Sequence, residues 1–367
     1  MENKIDVYYN SSHVGTLARY EDKYLFQYSD NWLKSGFSIS PLSLPLKKEV
    51  FVPKNMNFNG FFGVFSDSLP DAWGNLLLDR YLKKNGIENN NGLYRLSLIG
   101  NLGMGALEYS PSIKDNYSLD FNLDKFQEEA NNILESKDFV DVDYLYHYSF
   151  SSGGARPKAL IKYQNEDWIV KFQSHYDVKN AGLVEYEYAL CCKNIGIDMS
   201  DVKLFESSKG KGYFGIKRFD RINNKKVHMI SASALLEADF RSPCCDYLDL
   251  FKLTKYITNE NEHDIKQLYL RMCFNVYAHN LDDHLKNFSY LFNEESKTYR
   301  LSPAYDMMYS NTYFNEHQTS VNSKGKNIEK EDLIMVGVKS GLNKKYCVET
   351  LDKVINEINN KLLKYLK

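Results

Sequence analysis

Residues 280–292 read NLDDHLKNFSYLF, and this stretch constrains the folding of the chain more than any other. Two asparagines, two aspartates, a histidine and a lysine crowd within eight residues. The preceding IKQLYLRMCFNVYAHN spaces Ile265, Leu268, Met272 and Val276 at helical intervals, which predicts one buried helix face. The following FSYLF reads as an apolar strand. A packed helix must therefore hand over to a strand through a short polar loop.

At 367 residues the chain exceeds one small core, which predicts two or three domains or lobes. Hydrophobic content of 43% and charged content of 26% are those of a soluble globular protein, and the 14% aromatic content is read as compositional bias. A net charge of -2 argues against a chain that itself grips long nucleic acid by counterion release. The opening MENKIDVYYN lacks a basic start followed by an apolar run, so no signal peptide is expected. No stretch approaches the roughly 18 apolar residues that span a bilayer. The six cysteines fall as Cys191-Cys192, Cys244-Cys245, Cys273 and Cys347, neither a zinc spacing nor a disulfide framework. Cys191, Cys192 and Cys273 lie in apolar helical patterns, where a thiol behaves as a small hydrophobe. A reducing, cytoplasmic setting with no membrane partner is expected.

The first hundred residues read as strands and turns: KIDVYYNSSHVGTL, KYLFQYS and SGFSISPLSLPL. In FFGVFSDSLPDAWGNLLLDRYLKKNG a helix is predicted to start at Ser66 or Asp67 near Pro70 and to end at Gly86. LSLIGNLGMGALEYSP ends in a strand, and LDKFQEEANNILES is a short helix in a polar stretch. ALIKY and WIVKF, joined by QNED, form a hairpin preceded by a Ser-Ser-Gly-Gly loop. The helix NAGLVEYEYALCCKNIGI and the β segments VKLFES and YFGIKRFDR follow, and the chain is mostly helical from 223 onward. The terminal VETLDKVINEINNKLLKYLK is an amphipathic helix expected to pack on its own lobe.

Phosphoryl transfer is mostly positioning and electrostatics: a carboxylate at the attacking hydroxyl, metal ligands for the phosphates and a cation on the phosphate oxygens. Protein kinases place the catalytic Asp five residues before a metal-binding Asn. Asp282 and Asn287 have that separation, with Asn280-Leu281 where kinases carry His-Arg. Alone the spacing is weak. Asp306, in SPAYDMM, follows Asn287 by nineteen residues, and a strand-turn-strand excursion would return it beside Asn287 to share Mg²⁺. Alternation in WIVKF puts Trp168, Val170 and Phe172 on one face and Ile169 and Lys171 on the other. A lysine amid apolar neighbours calls for an anion, and an ATP phosphate would serve. Glycine loop, strand lysine, Asp…Asn and later Asp occur in the chain order of a kinase. Asp283 is read as structural or solvent-facing, and His284 as a hydrogen-bonding residue that shapes the loop rather than a metal ligand.

These residues carry a resemblance to a known family. Through SSGGARPKALI, WIVKF, IKRFDR, NLDDHLKNFSYLF and SPAYDMM the chain resembles the HipA family, serine/threonine kinases that are the toxins of bacterial toxin–antitoxin pairs. VGTL, PLSLPL, FFGVFSDSLPDAWG and IGNLGMGAL extend the similarity over nearly the whole chain. The resemblance implies Asp282 as catalytic base, Asn287 and Asp306 as Mg²⁺ ligands, and Lys171 on the ATP phosphates. It implies Lys286 at the transferred phosphoryl group and Ser152, Gly153, Gly154 and Ala155 in the phosphate loop. Phe219 would line the adenine pocket and Asp220 approach the ribose, IKRFDR being the hinge strand, and His284 belongs to the same cofactor-binding set. Family members autophosphorylate a serine at the start of the glycine loop, and Ser151 stands there, with Ser152 beside it. Lys217 replaces an acidic hinge residue of some members, and GGARPK replaces a Gln-containing loop. No helix-turn-helix is evident, so DNA contact would come chiefly through a separately encoded antitoxin of the HipB kind. The implied target class is an aminoacyl-tRNA synthetase, glutamyl-tRNA synthetase being the familiar case.

The expected fold is α+β, a two-lobed protein-kinase-like fold with an N-terminal β-rich subdomain and a mainly helical C-terminal lobe. Its expected parts are 1–110, 111–222 with the glycine loop and hinge, and 223–367 with the catalytic loop. A small-molecule phosphotransferase and an ATP-binding pseudokinase are the alternative functions.

Overall fold

The computed structural model describes residues 3–87, 91–113, 120–137, 139–149, 154–174, 177–223, 225–243, 245–312 and 314–366. The fold class is the expected α+β, in two compact units: residues 1–183 with 202–230, and 184–201 with 231–367. These units interleave along the chain, with 184–201 going with the C-terminal residues.

The first unit begins with strands β1 (Lys4–Tyr9), β2 (Ser12–Tyr20) and β3 (Lys23–Tyr28). Ile5, Val7 and Tyr9 alternate inward, which is what a half-buried strand requires. Short helices α1 (Asp30–Ser35) and α2 (Gly63–Ser66) follow, then α3 (Ala72–Lys84), α4 (Gly92–Ile99) and β4 (Leu107–Ser110). The sheet order is β3-β2-β1-β4, all antiparallel. SGFSISPLSLPL is not a strand: it is turns with a single bridge, Ser40 to Leu44. Pro41 and Pro45 lack the N–H a ladder needs. The helix expected at Ser66 or Asp67 starts only after Pro70, at Ala72.

Helices α5 (Leu123–Leu134) and α6 (Val142–Ser149) lead to the hairpin β5 (Lys158–Tyr163) and β6 (Glu166–Lys171). Gln164 and Asn165 both have positive φ, 52° and 62°, the mark of a tight two-residue turn. Helix α7 (Ala181–Ile195) then precedes β7 (Val202–Phe205) and β8 (Tyr213–Lys217), which complete an antiparallel sheet of order β5-β6-β8-β7. IKRFDR is not one strand. β8 stops at Lys217, a turn carries Arg218–Asp220, and β9 (Arg221–Ile222) pairs with β10 (Lys225–Lys226).

β11 (Met229–Ser231) ends the first unit's stretch and leads into α8 (Ala232–Leu236) of the second, where β12 (Cys245–Asp246) leads into α9 (Tyr247–Ile257). Asp246 caps α9 with a reciprocal capping box to Asp249. The central α10 (Glu262–Tyr277) is buried almost all round: Ile265, Leu268 and Met272 as expected, but also Arg271, Cys273, Phe274 and Asn275, while Val276 is only half-buried. Its end runs into the opening loop, and β13 (Ser289–Asn293) and β14 (Thr298–Leu301) form the hairpin beyond. β15 (Thr319–Ser320) pairs in parallel with β12. Helices α11 (Lys330–Lys339) and α12 (Lys344–Lys361) close the chain, with Cys347, Leu351, Val354 and Ile358 of α12 turned into its own unit. Cys191, Cys192 and Cys273 are buried, and burial pushes their thiols up, consistent with small hydrophobes. Among the described residues, no helix is long and apolar enough to cross a membrane.

Candidate functional site

The first unit holds the glycine loop and the strand lysine. Ser151, Ser152 and Gly153 lie outside the described residues. Gly154 has φ +94°, a conformation that favours glycine, and its N–H donates to Asp71 Oδ2 at 2.7 Å. Its carbonyl accepts from the Trp73 N–H at 3.3 Å. Asp71, at the N-cap position of α3, thus ties the start of that helix to the loop. Ala155 is exposed beside it. A Cβ on Gly154 would come within 2.5 Å of Lys158 Nζ, so the Lys158 ammonium lies against the loop backbone.

Lys171 sits on β6 with Trp168, Val170 and Phe172 buried on the opposite face, as the alternation requires. Its direct cross-strand partner is Lys158, so both side chains leave the same face of the sheet. The Lys171 ammonium is 5.7 Å from the Phe214 ring centroid. Two facing lysines repel, and an anion on that face offsets the repulsion. Lys158 and Asp71 escaped the sequence reading. Lys158 stands in the quoted SSGGARPKALI, but only the register β5 to β6 puts it opposite Lys171.

Phe219 sits half-buried in the turn between β8 and β9. Asp220, expected to approach a ribose, is a buried carboxylate. It is 0% exposed, and its carboxylate is taken up by Arg218 Nε at 2.9 Å, Arg218 Nη2 at 2.8 Å, Arg221 Nη1 at 2.9 Å and the Gly105 N–H at 2.6 Å. The arginines also donate to the Gly103 and Gly105 carbonyls. Burial alone would raise this carboxyl, but Arg218 and Arg221 outweigh it and hold the group ionised, below the ordinary carboxylate range. The hinge turn is therefore clamped to the 101–105 loop by a buried ion cluster.

The second unit holds the polar loop. The Asp282 carboxylate is exposed, at 56%, while its backbone is fixed at both ends. Its N–H donates to Ser310 Oγ at 3.0 Å, and its carbonyl accepts from Asn287 Nδ2 at 2.8 Å. That bond uses the amide nitrogen of Asn287 as a donor to the loop backbone. Asn280 Nδ2 donates to the Asp306 carbonyl at 3.2 Å, and the Tyr305 hydroxyl donates to the Lys286 carbonyl at 2.7 Å. The excursion through β13 and β14 thus returns 305–310 to the 280–287 loop. Asp306 sits at φ +53°, an unusual backbone for a non-glycine residue.

His284 Nε2 lies 3.9 Å from Asp282 Oδ1, and its ring packs on Phe240 at 5.0 Å. The Lys286 ammonium stands 5.2 Å from the same Phe240 ring centroid, within cation–π range. Phe240 comes from the 237–243 loop and had no sequence signal. Asp283 is wholly buried, in keeping with the structural reading of it. The hard oxygens of Asn287 and Asp306 are the donor types Mg²⁺ takes, so this donor set fits that ion.

A family model described as the HipA-like C-terminal domain matches residues 150–362, and one described as the HipA N-terminal domain matches residues 5–110. Y4dM of Sinorhizobium fredii, whose name assigns it a kinase activity provisionally, is 23% identical over 379 residues, 96% of this chain and 89% of that protein. A chain in the solved complex of Shewanella oneidensis MR-1 HipA, HipB and operator DNA superposes with a TM-score of 0.73 at 17% identity. The match covers 99% of this chain and 90% of that one, so the two share a fold.

Proposed function

The chain belongs to the HipA family, and from that premise we propose that it transfers the γ-phosphate of ATP to a serine or threonine of a protein. The observation that carries the reading is the exposed Asp282 carboxylate on a loop whose backbone is fixed by Ser310 and Asn287. Asp282 takes the proton of the attacking hydroxyl as its oxygen bonds to the γ-phosphorus. The bond from that phosphorus to the β–γ bridging oxygen breaks, and ADP leaves. Lys286, held over Phe240, offsets charge on the transferred phosphoryl group. Lys171 and its cross-strand neighbour Lys158 hold phosphate oxygens. Asn287 and Asp306 would hold Mg²⁺, which supplies a positive charge to the phosphates when bound. Phe219 supplies an apolar surface to the adenine.

The same reading gives the chain the place of a toxin, with a separately encoded HipB-like antitoxin as partner and DNA engaged chiefly through it. The supporting fact is the Shewanella complex, in which HipA is found with HipB and operator DNA. An aminoacyl-tRNA synthetase is the substrate class the family suggests, and Ser151 the autophosphorylated residue.

The test is to incubate the purified chain with γ-labelled ATP, Mg²⁺ and a cell extract, and to locate label by mass spectrometry. Label on a serine or threonine of an extract protein is the expected result. Label confined to small molecules would make the chain a small-molecule phosphotransferase. ATP binding without transfer would make it a pseudokinase.

A further inference from the structure

Beneath the exposed Asp282, the next carboxylate is buried, and among the described residues no Lys or Arg pairs with it. Asp283 is 0% exposed, yet its two oxygens receive four donors. Oδ2 accepts from the Tyr247 hydroxyl at 2.9 Å and from His317 Nδ1 at 3.0 Å. Oδ1 accepts from the Gln318 and Thr319 N–H groups at 3.0 and 3.2 Å, and the Asp283 carbonyl accepts from Thr319 Oγ1 at 2.6 Å. Three of these residues, His317–Thr319, belong to the segment that follows Asp306. The Gln318 N–H also donates to the Leu281 carbonyl at 3.1 Å.

The network continues to the polar loop from the other side. Asn275 Nδ2 donates to the Tyr247 hydroxyl, Asn280 Nδ2 donates to Asn275 Oδ1, and Ser310 Oγ donates to Asn280 Oδ1, each at 2.9 Å. Burial, then the Asp283 charge, pushes the Tyr247 hydroxyl far above its ordinary range, so it remains a donor. A buried carboxylate needs such full satisfaction, and once it has it the connected backbone is rigid.

In protein kinases the segment after the metal-binding aspartate is often ordered by phosphorylation, the phosphate pairing with arginine. Here Leu281, buried, stands immediately before Asp282 where those kinases carry the receiving arginine. We propose that Asp283 and His317 are a buried positioning pair that fixes residues 317–319 to the polar loop, so that Asp282 is held ready without phosphorylation of the segment after Asp306. Asp283 takes the part of the phosphate from inside the protein: its carboxylate gathers the backbone N–H groups of 318 and 319. The proposal rests on the kinase reading of Asp282.

His317 is the residue to change, because removing Asp283 would strand four buried donors and endanger folding. In His317→Ala the Nδ1–H donor is lost; in His317→Asn the amide N–H₂ replaces it. Three quantities are measured on the full chain: phosphate transfer, KM for ATP, and hydrogen exchange at the Gln318 and Thr319 amides. The expected result for His317→Ala is a fall in kcat of about 10- to 100-fold, the cost of a small misplacement of a reacting group. KM for ATP changes little, exchange at 318 and 319 quickens, and His317→Asn restores both. Wild-type kcat and exchange in His317→Ala would overturn the proposal, as would loss that follows the thermal midpoint and is not restored by Asn. Phosphatase-treated wild type should keep its activity; loss of activity on that treatment overturns it too. If wild type transfers nothing, the kinase reading has failed, while exchange at 318 and 319 still decides whether the pair holds the segment.

Discussion

Among single residues, an exposed carboxylate such as Asp282 can meet a substrate, while a buried one such as Asp220 holds its neighbours in place. On the proposed ligand role, Asp306→Asn replaces a charged carboxylate by a neutral amide and should weaken Mg²⁺-dependent ATP binding, read by titration with and without the ion; equal affinities would remove Asp306 from the proposed ligand set. Asp220 is a holding carboxylate. Asp220→Asn leaves Arg218 and Arg221 buried without their counter-charge and should destabilise the first unit by about 3–5 kcal/mol, read as a lower denaturant midpoint. Asp282 and Asn287 were legible because their relation is written within five residues, and the loop between them is too short to separate them. The burial of Asp220 was not legible. Its partner Gly105, and Gly103 to which Arg218 donates, lie more than a hundred residues away, and nothing near Asp220 in sequence announces them. Phe240 and Lys158 escaped for the same reason, since each gains its meaning from a register or a loop path.

Among elements, those with strong local periodicity were read well and those ruled by turns were not. Helix α10 and the β5–β6 hairpin stand where their patterns put them, because apolar spacing at helical or alternate positions is a local property. Helix α3 starts later than its first polar residue suggested: Asp71 rather than Ser66 or Asp67 precedes it, and the Asp71 carboxylate reaches Gly154. IKRFDR breaks after Lys217 because Arg218 and Asp220 are drawn into the ion cluster. The hairpin offers an element-scale test. Asn165 holds φ +62°, where glycine carries no Cβ penalty, so Asn165→Gly should stabilise the first unit by about 1 kcal/mol or less. A lower midpoint in thermal unfolding would contradict the two-residue turn.

For the whole molecule, both the chain's family and its α+β fold were readable from motifs spread along its length. The compact units themselves were not, since 184–201 joins residues far downstream through packing that no local pattern encodes. One pH dependence follows from the first unit. His228 is fully buried with its Nε2–H on the Ile39 carbonyl at 2.8 Å, and burial lowers its pKa from 6.5 to about 4. Between these values the unfolded chain binds a proton that the folded chain refuses. Stability is therefore lost as pH falls from 6.5 to about 4, by up to about 3 kcal/mol, and His228→Gln should flatten that window. An unchanged pH profile in the variant would remove His228 as its source. The most direct test of the central claim is the rate of phosphate transfer by Asp282→Asn beside wild type, with ATP affinity measured on both. The account predicts a loss of roughly 10²–10⁴-fold in rate with ATP affinity kept. Near-normal transfer by the variant would contradict it.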